Sequence, residues 1–530
     1  MEDTTSDKDA ADCKNVELTD DGVKDRFDAL SIITEVRLRN PNLQNQDYLS
    51  SRWKEYVFVG FCMMSQLLNQ AAMTQANPLF NVISNDLEAG ISQQTWLMAA
   101  FPMVSGSFIL ISGKVGDIYG LKKTLVGGYV TVIIWSLICG LCSYAHNVDF
   151  FIVARAFQGL GIAFVLPNVM GVVGNVYVPN TRAKNMVFSL IGACAPIGAT
   201  LGCVFAGLIG SSTRTWAWAF YAHALTAALN LCVGVWIIPS NIPVNVQRHK
   251  MDWLGSFLAV VGLIMLNFVW NQAPIDGWNQ AYLIVLLVVS LILLIAFVFY
   301  ELRYAKDPLL PPVVMHNRRI LMILSSLFFG WGSFGIWTFY YMSFVLNLRH
   351  YSPLWAGSTY FMFVIWGIIA ALLVGYTLHI CGPALILFAS MVAFNCGCIM
   401  LSVTPVDQSY FRMTLGIMII LSFGMDLSFP ASSIILSDEL PRESQGMAGS
   451  LVSTMVSYSS SICLGMGSTA EHYVNREGDN LLEGYRAALY VGIGLASVAV
   501  LISGLYMIES GWKLRAQKRS EMRNKGNHQC

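Results

Sequence analysis

Two ionisable side chains stand where ionisable side chains are costly. Arg155 lies in Phe151-Ile-Val-Ala-Arg155-Ala-Phe-Gln158-Gly159-Leu-Gly161, and Asp426 in Phe423-Gly-Met-Asp426-Leu-Ser-Phe-Pro430, each within a long apolar run. On insertion scales such a group costs about 2.5–3.5 kcal/mol at the centre of a membrane helix, so each needs a reason. A carboxyl group at that depth is a candidate to load and release a proton, and Pro430 frees a backbone carbonyl one turn before it. The other reading of Asp426 is an acid held by hydroxyls or by an arginine for structure alone. A fixed guanidinium with Gln158 one turn on, along the same helix face, suits the border of a solute or proton path. Its other reading is an arginine snorkelling to the headgroups.

Further polar groups cluster around these two. Gly113-Lys-Val-Gly-Asp117-Ile-Tyr-Gly120-Leu-Lys122-Lys123 is a charged, glycine-punctuated loop between apolar runs, and its charges must reach water. The first apolar run is rich in amides, and Gln66, Asn69 or Gln70, and Thr74 form a wet stripe at helical spacing. That stripe lines a solute pathway or, on the alternative reading, glues helices together. Asn168 after Pro167, and Asn267, are further pathway candidates, whereas His223 beside aromatic residues reads as packing. The chain carries no P-loop, no HExxH and no serine-hydrolase elbow, and its 12 cysteines, mostly in apolar runs, show no metal-ligand spacing. We therefore expect no catalytic residues, no metal, no cofactor and no direct use of ATP.

Such residues require long helices to hold them. Only 12% of the 530 residues are charged and 55% are hydrophobic, whereas soluble domains carry about 25% charged residues. Mean hydropathy is +0.56. Apolar runs long enough to cross a bilayer fall at roughly 56–77, 95–113, 124–143, 150–173, 186–209, 216–238, 253–270 and 281–300. They continue at roughly 320–346, 355–376, 384–402, 412–436, 447–468 and 487–508, which predicts an all-α polytopic membrane protein of about fourteen spans.

Net charge is zero, yet the charges are unevenly placed. Alternate loops hold Lys122 and Lys123, Arg182 and Lys184, Arg248 and Lys250, then Arg303, Lys306, Arg318 and Arg319, and Arg442. The opposite set holds only Arg214, Arg349, Arg412, Arg476 and Arg486. The positive-inside rule then places the Asp117 loop and both termini in the cytosol. The acid-rich residues 1–55 and the basic residues 511–530 read as cytosolic tails. In the fifth span Gly198, Gly202, Ala206 and Gly210 recur every fourth residue, and Gly449, Ser453, Ser457, Ser461 and Gly465 do so in the thirteenth. Such stripes let helix backbones approach closely in lipid. They suggest two six-helix halves, 56–240 and 318–510, separated by two inserted spans at 251–302.

At this point the residues resemble a known family. Gly113-x-x-x-Asp117-x-x-Gly120-x-Lys122-Lys123 is similar to the signature loop of the major facilitator superfamily. Arg155-x-x-Gln158-Gly159-x-Gly161 and Ala195-Pro196-Ile-Gly198 through Gly202 resemble motifs of its fourteen-span drug:proton antiporters. Phe423-Gly-Met-Asp426-Leu-Ser-Phe-Pro430 and Ser437-Asp-Glu-Leu-Pro441 most resemble fungal aminotriazole- and boron-resistance exporters.

The resemblance implies two helical bundles that rock about a central solute, with Arg155 in proton coupling, the Asp117 loop governing the conformational change, and Pro196, Gly198 and Gly202 as a packing motif. It departs at Leu68-Asn69-Gln-Ala71, where the family often has an acid, so Asn69 cannot titrate and Asp426 becomes the candidate proton carrier. The implied function is proton-gradient-driven export of small toxic solutes from a plasma-membrane or vacuolar monomer. Its partners would be the solute, protons and the bilayer, with no nucleic acid. The rivals are a proton-coupled importer, of siderophore-like substrates for example, and a non-transporting sensor.

Overall fold

The computed structural model describes residues 49, 51–90, 93–177, 182–212, 215–240, 242, 250–310, 312–440, 445–475 and 479–527. The acid-rich tail, apart from Leu49 and residues 51–55, lies outside them. Fourteen long helices account for most of the described chain. We label them α1 (Arg52–Thr74), α2 (Gln94–Tyr119), α3 (Leu121–Ala145), α4 (Val148–Val176), α5 (Arg182–Ser212), α6 (Trp218–Ile237) and α7 (Trp253–Asp276). The rest are α8 (Ala281–Arg303), α9 (Arg318–Ser343), α10 (Phe361–Cys381), α11 (Pro383–Ser402), α12 (Thr414–Glu439), α13 (Gln445–Asn475) and α14 (Leu481–Asn527).

Twelve spans among the described residues are long and apolar enough to cross a membrane. The two long helices that fall short are α1 and α13, those richest in amides and serines, respectively. Their polar faces turn into the protein: Ser65, Gln66 and Thr74 of α1 and Ser459, Ser461 and Ser468 of α13 are buried. The basic segment after Trp512 is helical, because α14 runs unbroken to Asn527. No proline interrupts 512–527, and its Lys, Arg, Gln, Glu and Met residues favour helix.

Helix ends are closed by local chemistry, as a membrane interface demands. Asn147 accepts from Phe150 N at 3.0 Å to start α4, Asp252 from Gly255 N at 2.9 Å to start α7, and Asn317 from Arg319 N at 3.0 Å to start α9. Gly120 joins α2 to α3 at φ +107°, and Gly382 joins α10 to α11 at φ +77°. Both conformations are open to glycine and strained for other residues.

Packing repeats with an offset of eight helices. In the first group α1 packs on α5 and α6, α2 on α4, and α3 on α4 and α6; in the second α9 packs on α13 and α14, α10 on α12, and α11 on α12 and α14. The groups meet along α2–α13 and α5–α10, which exchange under the same offset. That is the arrangement of two repeats related by an axis along the membrane normal. Helix α7 lies against both α2 and α13, and α8 packs on α7.

The small-residue stripes serve different neighbours. Gly198 and Gly202 bring α5 onto α1, where added Cβ atoms would stand 2.8 Å from Leu67 Cα and 2.7 Å from Ala71 Cα. In α13, Gly465 faces Trp270 and Asn271 of α7 instead. Across the main seam a Cβ on Gly106 would stand 2.7 Å from Tyr458 Cα. We expect Gly106→Ala to cost about 1–3 kcal/mol through overpacking, read as a lower Tm of the purified protein. Gly127→Ala, which enters open space, should leave Tm level or raised.

Candidate functional site

Asp426 lies at the middle of α12, four residues before Pro430. Its Oδ2 is buried and has no hydrogen-bond partner. The side chain points at the seam between the two groups. A Cβ on Gly367 of α10 would stand 2.7 Å from Asp426 Oδ2 and 2.8 Å from Pro196 Cγ of α5. The absence of a side chain at Gly367 lets both the acid of one group and the proline of the other pack against α10 at this point. Among the described residues Asp426 has no ion-pair partner, so the reading of an acid neutralised by an arginine finds no such arginine there.

Arg155 is fully buried in α4, which excludes snorkelling. Its Nη1 donates to Ala72 O at 2.9 Å and to Gln158 Oε1 at 2.5 Å, and Gln158 Nε2 donates onward to Ser136 Oγ at 2.8 Å. The Phe101 and Phe220 rings flank the guanidinium with centroids 4.7 and 5.8 Å away, a stabilising cation–π geometry. Its Nε remains unpartnered. Arg155 and Gln158 thus act as one unit, as their spacing suggests, and that unit ties α4 to α1 and α3.

The amides divide by role. Gln66 is buried with Oε1 unpartnered, and Asn69 and Gln70 beside it are half-buried. Thr74 turns to α5 and donates to Ala199 O at 2.8 Å. Asn168 donates to Phe164 O at 2.7 Å and abuts Gly116 at the end of α2. Asn267 accepts from Asn271 Nδ2 at 2.7 Å and from Ser461 Oγ at 2.9 Å, deep in the α7–α13 contact. The structure therefore brings Gln66, Asn69 and Gln70 together on α1 and places Asn267 between helices.

The segment expected as a loop is instead helical through Tyr119, as the last turns of α2, and is broken only at Gly120. Gly113 there approaches Ser450 of α13, so the end of α2 touches the second group. Asp117 and Lys123 are exposed. Lys122 Nζ donates to Ile238 O at 2.6 Å, at the C-terminal end of α6, where a cation meets the negative end of the helix. Lys114 is a functional candidate that sequence reasoning missed: its Nζ donates to the carbonyls of Asp307 and Pro308 at 2.5 and 2.6 Å. It fastens α2 to the segment after the inserted pair. The same segment is held by Glu301, which accepts from Leu309 N at 2.9 Å.

At the opposite end of the bundle the groups are bonded directly. Asn81 Nδ2 donates to Asn347 Oδ1 at 2.6 Å, Thr200 Oγ1 to Tyr360 O at 3.0 Å, Leu354 N to Ser211 Oγ at 3.1 Å, and Ser461 Oγ to Ala99 O at 2.9 Å. The end distant from Asp117 is therefore sealed.

A bundle of paired six-helix groups with a polar seam is a fold of transporters, and a sequence profile agrees. The profile of the Major Facilitator Superfamily matches residues 62–465. The chain belongs to the major facilitator superfamily. It is 62% identical to the aminotriazole resistance protein of Saccharomyces cerevisiae, over 89% of this chain and 87% of that protein. It is 34% identical to a major facilitator superfamily multidrug transporter of Aspergillus fumigatus, over 88% and 82%. Among solved structures, a POT family transporter shares the fold with TM-score 0.63 at 13% identity, over 85% of this chain and 98% of that one.

The chain is thus a multi-pass membrane transporter of the superfamily, not an enzyme, and its substrate is a small molecule. Within that family frame, Arg155 depends on Gln158 for its side-chain acceptor. We expect Gln158→Leu to cost about 1.5–3 kcal/mol, the range for a hydrogen bond to a charged group, measured by thermal unfolding in detergent. Ser136→Ala, which removes only a neutral acceptor, should cost less.

Proposed function

We propose that this chain is a proton-driven exporter of small toxic solutes, aminotriazole-like compounds among them. One observation carries the reading: the unpartnered carboxyl of Asp426 rests at the seam where α10 and α5 of opposite groups meet. Protonated, that group can lie against Pro196. Ionised, it calls for water, which reaches its buried Oδ2 when the seam parts. Such an acid links proton occupancy to the rocking of the two groups about a solute held near Gln66, Asn69 and Gln70. Asn69, which cannot titrate, leaves Asp426 as the carrier, and the fixed charge of Arg155 serves the same proton path. The Asp117 loop governs the parting of α2 from α13 on its side.

The positive-inside rule gives the orientation: the Asp117 loop faces the cytosol and the sealed end faces out. The energy source is the proton gradient, acting on a monomer in the plasma membrane. A proton crossing 100 mV supplies about 2.3 kcal/mol and one pH unit about 1.4 kcal/mol more. Together they sustain a gradient of a few hundredfold for a neutral solute, at about 1.4 kcal/mol per decade. The relatives' printed names, aminotriazole resistance and multidrug transporter, support the solute class and the outward direction.

Two substitutions test the reading. In proteoliposomes with an imposed pH gradient, Asp426→Asn should abolish gradient-dependent transport and leave solute binding intact; unchanged proton flux would remove Asp426 from the mechanism. Asp117→Asn, compared at equal surface expression, should slow transport severalfold, and a normal rate would count against a role for the loop in the conformational change.

A further inference from the structure

The sealed end of the bundle contains a box of aromatic rings with unusual polar contents. Trp337 and Tyr341 of α9 stack at 4.9 Å, Tyr341 lies 6.0 Å from Tyr360, Tyr360 lies 5.0 Å from Phe363 of α10, and Phe363 returns to Trp337 at 6.2 Å. The four rings form a closed circuit, each at least 98% buried. Asn77, just beyond α1, brings the first group to this box: the Tyr360 hydroxyl faces both Asn77 and Thr338.

Five polar atoms here are buried without a well-formed hydrogen bond: Trp337 Nε1, Thr338 Oγ1, Tyr341 OH, Tyr360 OH and Asn77 Oδ1, with the Tyr360 hydroxyl close to Thr338 and Asn77 and the Tyr341 hydroxyl close to Thr359. Buried polar atoms in folded proteins are nearly always satisfied, because desolvation without a partner is costly. Phenylalanine at the two tyrosines and valine at Thr338 would keep nearly the same shape without that cost. The chain instead retains donors and an acceptor, contributed by both groups, at the place where the groups must separate for the far side to open. None of the six side chains is charged.

We propose that this box, whose Phe363 lies one turn along α10 from Gly367 and its neighbour Asp426, is an exit-side recognition site for a small, neutral, planar heteroaromatic solute. The rings take the faces of the solute, and the hydroxyls and the Asn77 carbonyl take its edge donors and acceptors as the seal parts. A solute that can satisfy these atoms is held there as the seal parts, and one that cannot leaves them bare. Selectivity for hydrogen-bonding azoles over purely apolar compounds follows from the same atoms. The inference rests on the export reading for its direction, but not for the existence of the site.

The test uses the purified full chain and 3-amino-1,2,4-triazole as probe, in two arms. Equilibrium binding by calorimetry compares wild type with Tyr360→Phe, Thr338→Val and the double variant, with thermal unfolding run in parallel. The expected result is at least a tenfold weaker binding in the double variant with a Tm equal to or above wild type. Equal binding in wild type and the double variant, or no binding by wild type, overturns the site. Transport in proteoliposomes forms the second arm, where KM should rise with binding loss while kcat changes little. Wild type that binds the probe without transporting it overturns the export reading and leaves the site standing. A drop in kcat alone, with binding unchanged, assigns the hydroxyls to the seal and also overturns the site.

Discussion

Lipid offers no hydrogen bonds, and nearly every feature of this protein follows from that constraint. Hydroxyls within the helices turn back on their own backbones: Ser65 bonds Phe61 O at 2.7 Å, Thr124 bonds Gly120 O at 3.0 Å, and Ser503 bonds Ala499 O at 2.8 Å. Within each group, side chains that bond across helices join elements that must stay together. Asn230 donates to Tyr129 OH, and Tyr129 donates to Ser65 Oγ, both at 2.7 Å, which locks α6, α3 and α1 into one group. Ser461 instead bonds across the seam, to Ala99 O of α2 and Asn267 Oδ1 of α7, so its bond to α2 is one the seal must break to open. The two inserted helices thus act on the seam through α7, while α8 is left mostly to lipid.

The exceptions to this economy mark the working parts. Asp426 Oδ2 and Arg155 Nε are buried without partners, and the hydroxyls of Thr338, Tyr341 and Tyr360 lack well-formed hydrogen bonds. Each lies in the interior or along a seam, none on a lipid-facing surface. An unsatisfied polar group makes a packed state less secure than it could be. In a machine that alternates between two packings, that insecurity is useful, because the competing packing can satisfy what this one leaves bare. Close packing through Gly106, Gly202 and Gly367 supplies the opposing stability.

What could be read in the sequence was local. Apolar runs placed the helices, Gly120 and its charges marked the turn between α2 and α3, and the three-residue spacing of Arg155 and Gln158 put them on one helix face. The family assignment rested on the same short motifs. What could not be read was distant in sequence: Gly367 and Pro196 meeting Asp426, Lys114 clasping the carbonyls after α8, and the stripe of α13 serving α7. No periodicity within one helix reveals which partner its face meets. The polar stripe of α1 was visible, but only packing separates Thr74, committed to α5, from Gln66, which is not. The basic residues after Trp512 extend α14 as helix beyond its apolar span, as their residue types favour.

The central claim is that an inward proton gradient drives solute outward through this seam. The most direct measurement is solute-coupled proton movement by the wild-type protein in sealed proteoliposomes carrying a pH-sensitive dye and no membrane potential. Adding aminotriazole on the cytosolic face of the protein should carry protons toward that face, with a rate that saturates with solute and vanishes when a protonophore dissipates the gradient. Solute movement that proceeds at the same rate with and without a proton gradient, and moves no protons, would contradict the account.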